Sequence, residues 1–214
     1  MEVKDLINEK KNDITLVAVS KTKPIEEIKK IYKEGIINFG ENRVNELVEK
    51  FNHLPKDINW HMIGHLQTNK VKKIIPFISL IHSVDSFKLI NKIDIESRKI
   101  NKKTNILLQV HIAEEKSKYG FESKEIREFF NNKLDKSYKN INIIGLMGMA
   151  TFTNNKNQIK TEFKKLKMLF DEIKSISDQK IKTLSMGMSG DYKIAIKEGS
   201  NMVRIGSLIF GERD

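Results

Sequence analysis

The sequence predicts an α/β protein built as a single (β/α)₈ barrel of the TIM type. Eight short apolar segments alternate with amphipathic segments of helical period. Most of the apolar segments are nearly continuous, as expected for strands of a parallel sheet that is covered on both faces. The chain has 214 residues, near the lower limit for such a barrel, and no linker rich in Pro, Gly or Ser divides it. An open doubly wound sheet is the alternative, because periodicity does not specify strand order.

The elements follow one another regularly along the chain. The predicted strands occupy residues 14–20, 36–40, 58–64, 78–84, 104–112, 141–149, 182–188 and 201–206. Pro24 is placed to begin a helix and Gly35 to end it. The longest helical segment carries its apolar face on Phe163, Leu166, Leu169, Phe170 and Ile173. We expect one domain over residues 1–214, with a leading helix at about residues 2–10 and the barrel at about 14–214.

Composition limits the classes of function. The 39 Lys and Arg residues exceed the 28 acids, for a net charge of +11, so a nucleic-acid-binding protein is one alternative. The lysines are nevertheless mixed with acids, as in EEIKKIYKEG, and we expect no dedicated nucleic-acid partner. The absence of cysteine excludes disulfides and thiolate catalysis. No apolar stretch reaches the roughly 20 residues of a membrane span, and no signal peptide is present, so we expect a cytoplasmic protein without a membrane partner.

Residues whose side chains can react with or bind a ligand lie where the predicted strands end. Barrels of this kind have their active sites at these strand ends. Lys21 follows the first strand directly, Asn42 follows the second, and Ser83 ends the fourth. An amine held against apolar side chains loses its proton more readily, and attack on an aldehyde requires the unprotonated amine. The alternative for Lys21 is a solvated lysine, since lysines are abundant throughout this chain.

The last two strands predict an anion site. The loops after strands seven and eight, which often bind phosphate in this fold, contain Ser189 with Gly190 and Gly206 with Ser207. Ordinary turn chemistry is the alternative explanation for these small residues. Arg204 lies within an apolar strand, where an unpaired charge is costly, so we expect it to face a specific partner such as an unprotonated ring nitrogen.

Eight sequence blocks together resemble one known family. These blocks are VAVSKTKP, FGENRVNE, WHMIGHLQTNK, HSVD, KSKYGF, GLMGMA, LSMGMSGD and MVRIGSLIFGERD. In this order they are closely similar to successive signatures of the pyridoxal phosphate homeostasis proteins, from about Ile14 to Asp214. The resemblance implies the type III fold that binds pyridoxal 5′-phosphate (PLP), a barrel like the N-terminal domain of alanine racemase.

The resemblance also implies roles for individual residues. Lys21 would hold PLP as a Schiff base, and Arg204 would approach the pyridine nitrogen. Asn42 would lie near the cofactor ring, and Lys23 would be a second lysine close to the pocket. The phosphate would be bound by Ser189, Gly206 and Ser207. Met186, at the end of the seventh strand, and Ser83 complete the predicted cofactor site.

The expected function is therefore non-enzymatic: a carrier or buffer of PLP that takes part in vitamin B6 homeostasis, with apo PLP enzymes as recipients. The alternative is an amino-acid racemase, which would require a second base. Racemases of this fold obtain it as a tyrosine from a separate C-terminal domain, which we do not expect here. Tyr119 and Tyr192 are the tyrosines that could approach the pocket and support a weak side activity. We predict a monomer without catalytic residues. We also predict no metal site, since His61 and His65 do not share a helical face.

Overall fold

Eight parallel strands close into a barrel within residues 14–115 and 119–211, the part of the chain that the computed structural model describes. The strands pair in chain order, and the first also pairs with the last, through Val17 beside Arg204 and Ala18 beside Ile205. The strands are β1 (Thr15–Val19), β2 (Asn38–Glu41), β3 (Asn59–Met62), β4 (Leu80–Val84), β5 (Thr104–Gln109), β6 (Ile141–Met147), β7 (Thr183–Ser185) and β8 (Met202–Ile205). Each overlaps a predicted segment, so the predicted fold class is confirmed and the open sheet is excluded.

Helices follow the strands on the outside of the barrel. They are α1 (Ile25–Lys33), α2 (Val44–His53), α3 (Val71–Ile74), α4 (Phe87–Lys99), α5 (Ser123–Asn131), α6 (Lys156–Ile176), α7 (Tyr192–Lys197) and α8 (Ser207–Phe210). As predicted, α1 begins after Pro24, and Gly35 beyond its end adopts φ +94°, which favours glycine. The predicted leading helix at about residues 2–10 lies outside the described residues. None of the described helices is long and apolar enough to cross a membrane.

The strands separate two apolar layers. The larger layer packs the outer faces of the strands against the helices, and its α6 contribution is the predicted face from Phe163 to Ile173. A smaller cluster fills the barrel interior and consists of Val17, Leu80, Leu107, Met147 and Met202. Because side chains alternate along a strand, Val17 points inward while its neighbours Leu16 and Ala18 belong to the outer layer.

The same alternation positions the end of β1. Val17 and Val19 point into the barrel, so Lys21 also points inward, whereas Ser20 points outward. On β8, Val203 and Ile205 belong to the outer layer, which leaves Arg204 directed into the interior. Two charged side chains that are far apart in the sequence therefore converge on one end of the barrel.

Candidate functional site

A cavity of about 550 Å³ opens at the C-terminal ends of the strands. This volume falls within the range of about 300–1,000 Å³ found for small-molecule sites. Of the residues predicted for the site, the cavity is lined by Lys21, Lys23, Asn42, Ser189, Arg204, Gly206 and Ser207. Seven side chains or loop positions from four parts of the sequence are thus brought together at one place.

Lys21 lies half-buried on the cavity wall, one residue beyond the end of β1. The second lysine, Lys23, is occupied differently: its Nζ donates to the carbonyl oxygen of Phe210 at 2.9 Å and lies 3.5 Å from a Glu27 carboxylate oxygen. Lys23 therefore ties the start of α1 to the end of α8 at the cavity edge. Both lysines line the cavity, and the Lys23 Nζ is held at its edge by these contacts.

Arg204 lies on the inner wall and is only 4 % exposed. Its Nη1 donates to Ser185 Oγ at 2.6 Å, and its Nη2 donates to the carbonyl oxygen of Gly148 at 3.1 Å. Burial lowers the pKa of Arg204 to about 10, and the nearby Asp191 carboxylate partly offsets this shift, so the guanidinium stays charged at neutral pH. Both acceptors are neutral, and no carboxylate of the described residues forms an ion pair with it. The side chain is thus a buried cation whose charge suits a ligand with an electron-rich acceptor.

The loops after β7 and β8 touch each other as the anion-site prediction requires. The backbone N–H of Gly206 donates to Ser189 Oγ at 3.2 Å, and Ser207 follows at the start of α8. The carboxylate of Asp191 also borders the cavity, but its Oδ1 accepts a 2.6 Å hydrogen bond from the N–H of Met188 and so closes the turn around Ser189. The two loops form one wall that is lined by hydroxyl groups and backbone.

Asn42 reaches the cavity because it continues the inward row of Asn38 and Gly40 on β2. Gly64, after β3, packs on the Asn42 backbone: a Cβ at this glycine would lie 2.5 Å from the Asn42 carbonyl oxygen and 2.7 Å from its Cα. Only glycine permits this approach, so the position of Asn42 depends on the residue type at 64.

Two predicted residues lie away from the cavity. Met186 is fully buried in the outer apolar layer, because its neighbour Ser185 takes the inward position on β7. Ser83 is buried as well, and its hydroxyl donates to the carbonyl oxygen of Gly64 instead of facing a ligand. In both cases the sequence located the correct strand end, but the alternation of side chains directs a neighbouring residue inward.

The tyrosines and histidines considered in the sequence analysis also lie elsewhere. Tyr192 is 3 % exposed within the core, and Tyr119 stacks on His65 with ring centroids 4.1 Å apart. His65 pairs with Asp85 at 2.9 Å on the rim, whereas His61 points into the barrel and contacts His82. His61 and His65 thus do not share a site.

A buried charged cluster beside Lys21 was not predicted. Lys50 on α2 donates 2.7 Å hydrogen bonds to Glu41 Oε1, to Glu46 Oε1 and to the carbonyl oxygen of Ser20. Ser20 Oγ also donates to Glu41 at 2.6 Å, and the N–H of Thr22 donates to Glu46 at 2.6 Å. Both residues that flank Lys21 are therefore tied to this cluster. The one sequence signal was an acid, Glu41, at the end of an apolar strand.

Burial raises the pKa of Glu41 to about 7, because the lowering effect of Lys50 and of the Ser20 hydroxyl does not cancel the loss of hydration, and the charge of Glu46 adds to the increase. Glu41 Oε2 is buried and has no hydrogen-bond partner. The carboxyl therefore titrates near neutral pH next to the Lys21 turn.

The segment Thr151–Asn154 borders the cavity as well. Glu162 on α6 anchors it by accepting 2.7 Å hydrogen bonds from both the N–H and the hydroxyl of Thr151. Phe152 projects beside the cavity and is 97 % exposed. The segment thus combines a base fixed by Glu162 with an apolar side chain that projects into solvent.

Comparisons with known proteins agree with this geometry. The family model described as alanine racemase, N-terminal domain, matches residues 3–214. A pyridoxal phosphate homeostasis protein of Aquifex aeolicus is 39 % identical over 203 residues, which cover 94 % of this chain and 88 % of the relative. One from Helicobacter pylori is also 39 % identical over 203 residues, covering 93 % and 88 %. This chain belongs to the pyridoxal phosphate homeostasis protein family.

Solved structures extend the comparison. PipY of Synechococcus elongatus, in its structure without PLP, has a TM-score of 0.91 and 30 % identity, with 98 % of each chain covered. The structure of PipY with PLP bound has a TM-score of 0.87 and 29 % identity, again with 98 % of each chain covered. An alanine racemase of Clostridium difficile has a TM-score of 0.78 at 17 % identity, covering 99 % of this chain and 55 % of the racemase, a likeness of fold.

The cavity of this family member fits PLP on its own chemistry. The cofactor carries an aldehyde, a phosphate dianion and a ring nitrogen. The cavity offers an amine on Lys21, a wall of serine hydroxyls and backbone around Ser189, and the cationic donor Arg204. Three features of the ligand thus have three matching groups in one cavity.

Proposed function

We propose that this protein binds PLP in the cavity at the C-terminal end of the barrel and takes part in PLP homeostasis as a carrier or buffer. The observation that carries this proposal is the convergence of Lys21 and Arg204 on one cavity, with the Ser189 and Gly206 loops beside them. PLP is also the cofactor named for PipY, which shares the fold at a TM-score of 0.87.

Lys21 is the proposed attachment point. Its unprotonated amine adds to the PLP aldehyde, a C=N bond forms, and water leaves, which gives a Schiff base. The reaction reverses when water or another amine attacks the same carbon, so covalent binding and release use one bond. Phe152 borders the cavity and is 97 % exposed, so it projects into solvent and does not seal the site, which favours exchange of the cofactor.

A carrier role is favoured over catalysis by the groups around the cavity. Proton abstraction from an amino acid requires a positioned base, and of the described residues that line this cavity none is a tyrosine or a histidine. Lys23 already donates to the Phe210 carbonyl oxygen, and Asp191 already accepts from the N–H of Met188. Such chemistry also depends on the exclusion of water, whereas Phe152 at the cavity edge projects into solvent.

Binding is tested by titrating the purified protein with PLP and following the absorption of a lysine Schiff base. The wild type is expected to bind one PLP per chain, and Lys21→Ala to lose the Schiff-base band. Lys23→Ala is the matched control, since it removes a neighbouring lysine and leaves Lys21 in place. A wild type that binds no PLP under these conditions contradicts the proposal.

Delivery and catalysis are separated by a second experiment. The protein loaded with PLP is mixed with an apo PLP enzyme, whose recovered activity reports transfer of the cofactor, and the same loaded protein is incubated with single amino acids. A carrier activates the apo-enzyme and leaves the amino acids unchanged. Steady racemisation or decarboxylation at enzymatic rates, lost in Lys21→Ala, supports the racemase alternative instead. We propose apo PLP enzymes of the cytoplasm as the recipients and a monomer as the active form.

A further inference from the structure

A chain of polar side chains, all buried except the half-buried Asn38, runs through the barrel interior below the cavity. It begins at Arg204 and continues through Ser185, His82 and His61 to Asn38. The distances are 2.6 Å from Arg204 Nη1 to Ser185 Oγ, 3.1 Å from Ser185 Oγ to His82 Nδ1, 2.8 Å from His82 Nε2 to His61 Nδ1, and 3.3 Å from His61 Nε2 to Asn38 Oδ1. Five residues from five strands thus form one connected line.

The last link fixes the direction of the others. An amide oxygen only accepts, and Asn38 Oδ1 also accepts from Asn59 Nδ2, so a neutral His61 ring donates from Nε2 to Asn38 Oδ1. His61 Nδ1 is then an acceptor, which places the proton of the neutral His82 ring on Nε2, from which it is donated to His61 Nδ1. His82 Nδ1 in turn accepts the Ser185 hydroxyl proton, and Ser185 Oγ accepts from Arg204. Both histidines therefore carry the Nε2–H tautomer.

The electrostatics of the interior agree with neutral rings. Burial lowers the pKa of His61 to about 4. Burial also lowers the pKa of His82 well below its usual value, and the nearby His61 and Arg204 add to this effect. At neutral pH Arg204 is thus the single charge on this line, and every residue beneath it presents a neutral dipole.

This arrangement holds a cation in place without neutralising it. An Arg–carboxylate pair would compete with a ligand for the guanidinium, whereas Ser185 Oγ and the Gly148 carbonyl oxygen take up only part of its donor capacity. His82 in turn keeps the Ser185 oxygen turned toward Arg204, because the Ser185 proton is committed to His82 Nδ1. The guanidinium that borders the cavity is therefore oriented by residues that do not border it.

We propose that Ser185, His82, His61 and Asn38 are positioning residues that set the orientation of Arg204 toward the ring of the bound cofactor. This inference rests on the proposed PLP function and adds to it a hydrogen-bond chain of fixed direction. The absorption and affinity of bound PLP then depend on two residues, Ser185 and His82, that lie outside the cavity.

The first test needs no cofactor. Long-range ¹H–¹⁵N correlation spectra of the protein without PLP distinguish the two neutral tautomers of histidine. His61 and His82 are each expected to be neutral and in the Nε2–H form at pH 6–8, with assignment by the His61→Gln and His82→Gln variants. A proton on Nδ1 of either ring, or a ring that charges in this pH range, overturns the hydrogen-bond chain whether or not PLP binds.

The second test measures the effect on the cofactor. Ser185→Ala and His82→Leu are compared with Ser97→Ala, which removes a fully buried hydroxyl that bonds Thr104 on the outer side of the barrel. The first two variants are expected to shift the pH profile of the bound-PLP band and to raise the Kd about 5- to 10-fold, within the range for the loss of one ordinary hydrogen bond. His82→Asn, which retains an acceptor for Ser185, is expected to recover part of the loss.

The outcomes are distinguishable. If the wild type binds PLP, and Ser185→Ala and His82→Leu retain its spectrum, pH profile and Kd, the positioning role is wrong and the carrier function stands. If the wild type itself binds no PLP, the proposed function fails. Equal changes in the Ser97→Ala control assign the effect to general destabilisation and overturn the positioning role.

Discussion

The hydroxyl of Ser20 donates a 2.6 Å hydrogen bond to Glu41 Oε1, which ties the residue before Lys21 to the neighbouring strand. Lys50 bonds the same carboxylate oxygen and the Ser20 carbonyl oxygen, both at 2.7 Å, and is only 4 % exposed. Thr22, on the other side of Lys21, has φ +67°, an uncommon conformation for a threonine, and its N–H is bonded to Glu46. The turn that presents Lys21 is thus held from both sides by one buried cluster.

Loss of Lys50 is predicted to destabilise this turn and the fold. Lys50→Met leaves the Glu41 carboxylate and the Ser20 carbonyl oxygen buried without their cationic partner, and breaking a buried pair costs about 3–5 kcal/mol. Urea unfolding measures the loss in free energy. The control is Lys102→Met, since Lys102 is also partly buried and bonds the carbonyl oxygens of Ile75 and Ile78, distant in sequence from this cluster. Equal losses in the two variants contradict a special role for the cluster.

Stability is predicted to depend on pH through Glu41. Its folded pKa of about 7 lies above its ordinary value of 4.5, so the folded state binds the proton more tightly than the unfolded state. The contribution is fully present below pH 4.5 and is lost as the pH rises through about 7, at about 1.4 kcal/mol per unit of difference. Urea unfolding at pH 5, 6, 7 and 8 is expected to give a steeper decline for the wild type than for Glu41→Gln. If the free energy of unfolding falls equally with pH in the wild type and in Glu41→Gln, the titration of Glu41 does not affect stability and the prediction is wrong.

Gly64 is predicted to tolerate no side chain. In Gly64→Ala the new Cβ would lie 2.5 Å from the Asn42 carbonyl oxygen, so the backbone that carries Asn42 must move. Overpacking of this kind costs about 1–3 kcal/mol. Gly190→Ala is the control, because a Cβ there meets no atom within 4 Å, and its stability should stay within about 0.5 kcal/mol of the wild type. Thermal unfolding of the two variants decides the matter, and a stable Gly64→Ala contradicts the close approach.

Much of the fold was predictable because the strands are continuous apolar segments, a pattern that is local in the sequence. The periodicity alone left an open sheet as an alternative, since closure depends on the pairing of β1 with β8, whose residues Val17 and Arg204 are far apart in the chain. The same limit applies to the site. Lys21 could be predicted because it follows the first strand, and Arg204 because a charge within an apolar strand requires a partner. Met186 was expected at the cofactor site, but it lies in the outer apolar layer, one residue after the inward-facing Ser185. The bonds from Lys50 to Glu41 and from His82 to Ser185 depend on the closed barrel and have no periodic signal.

The central claim is that PLP is attached to Lys21. It is tested most directly by reduction of the PLP-loaded protein with borohydride, followed by fragmentation mass spectrometry that separates Lys21 from Lys23. One stoichiometric adduct on Lys21 is predicted in the wild type and in Lys23→Ala, with only scattered substoichiometric labelling in Lys21→Ala. An adduct spread over surface lysines in the wild type, or a stoichiometric adduct that persists in Lys21→Ala, would contradict the account.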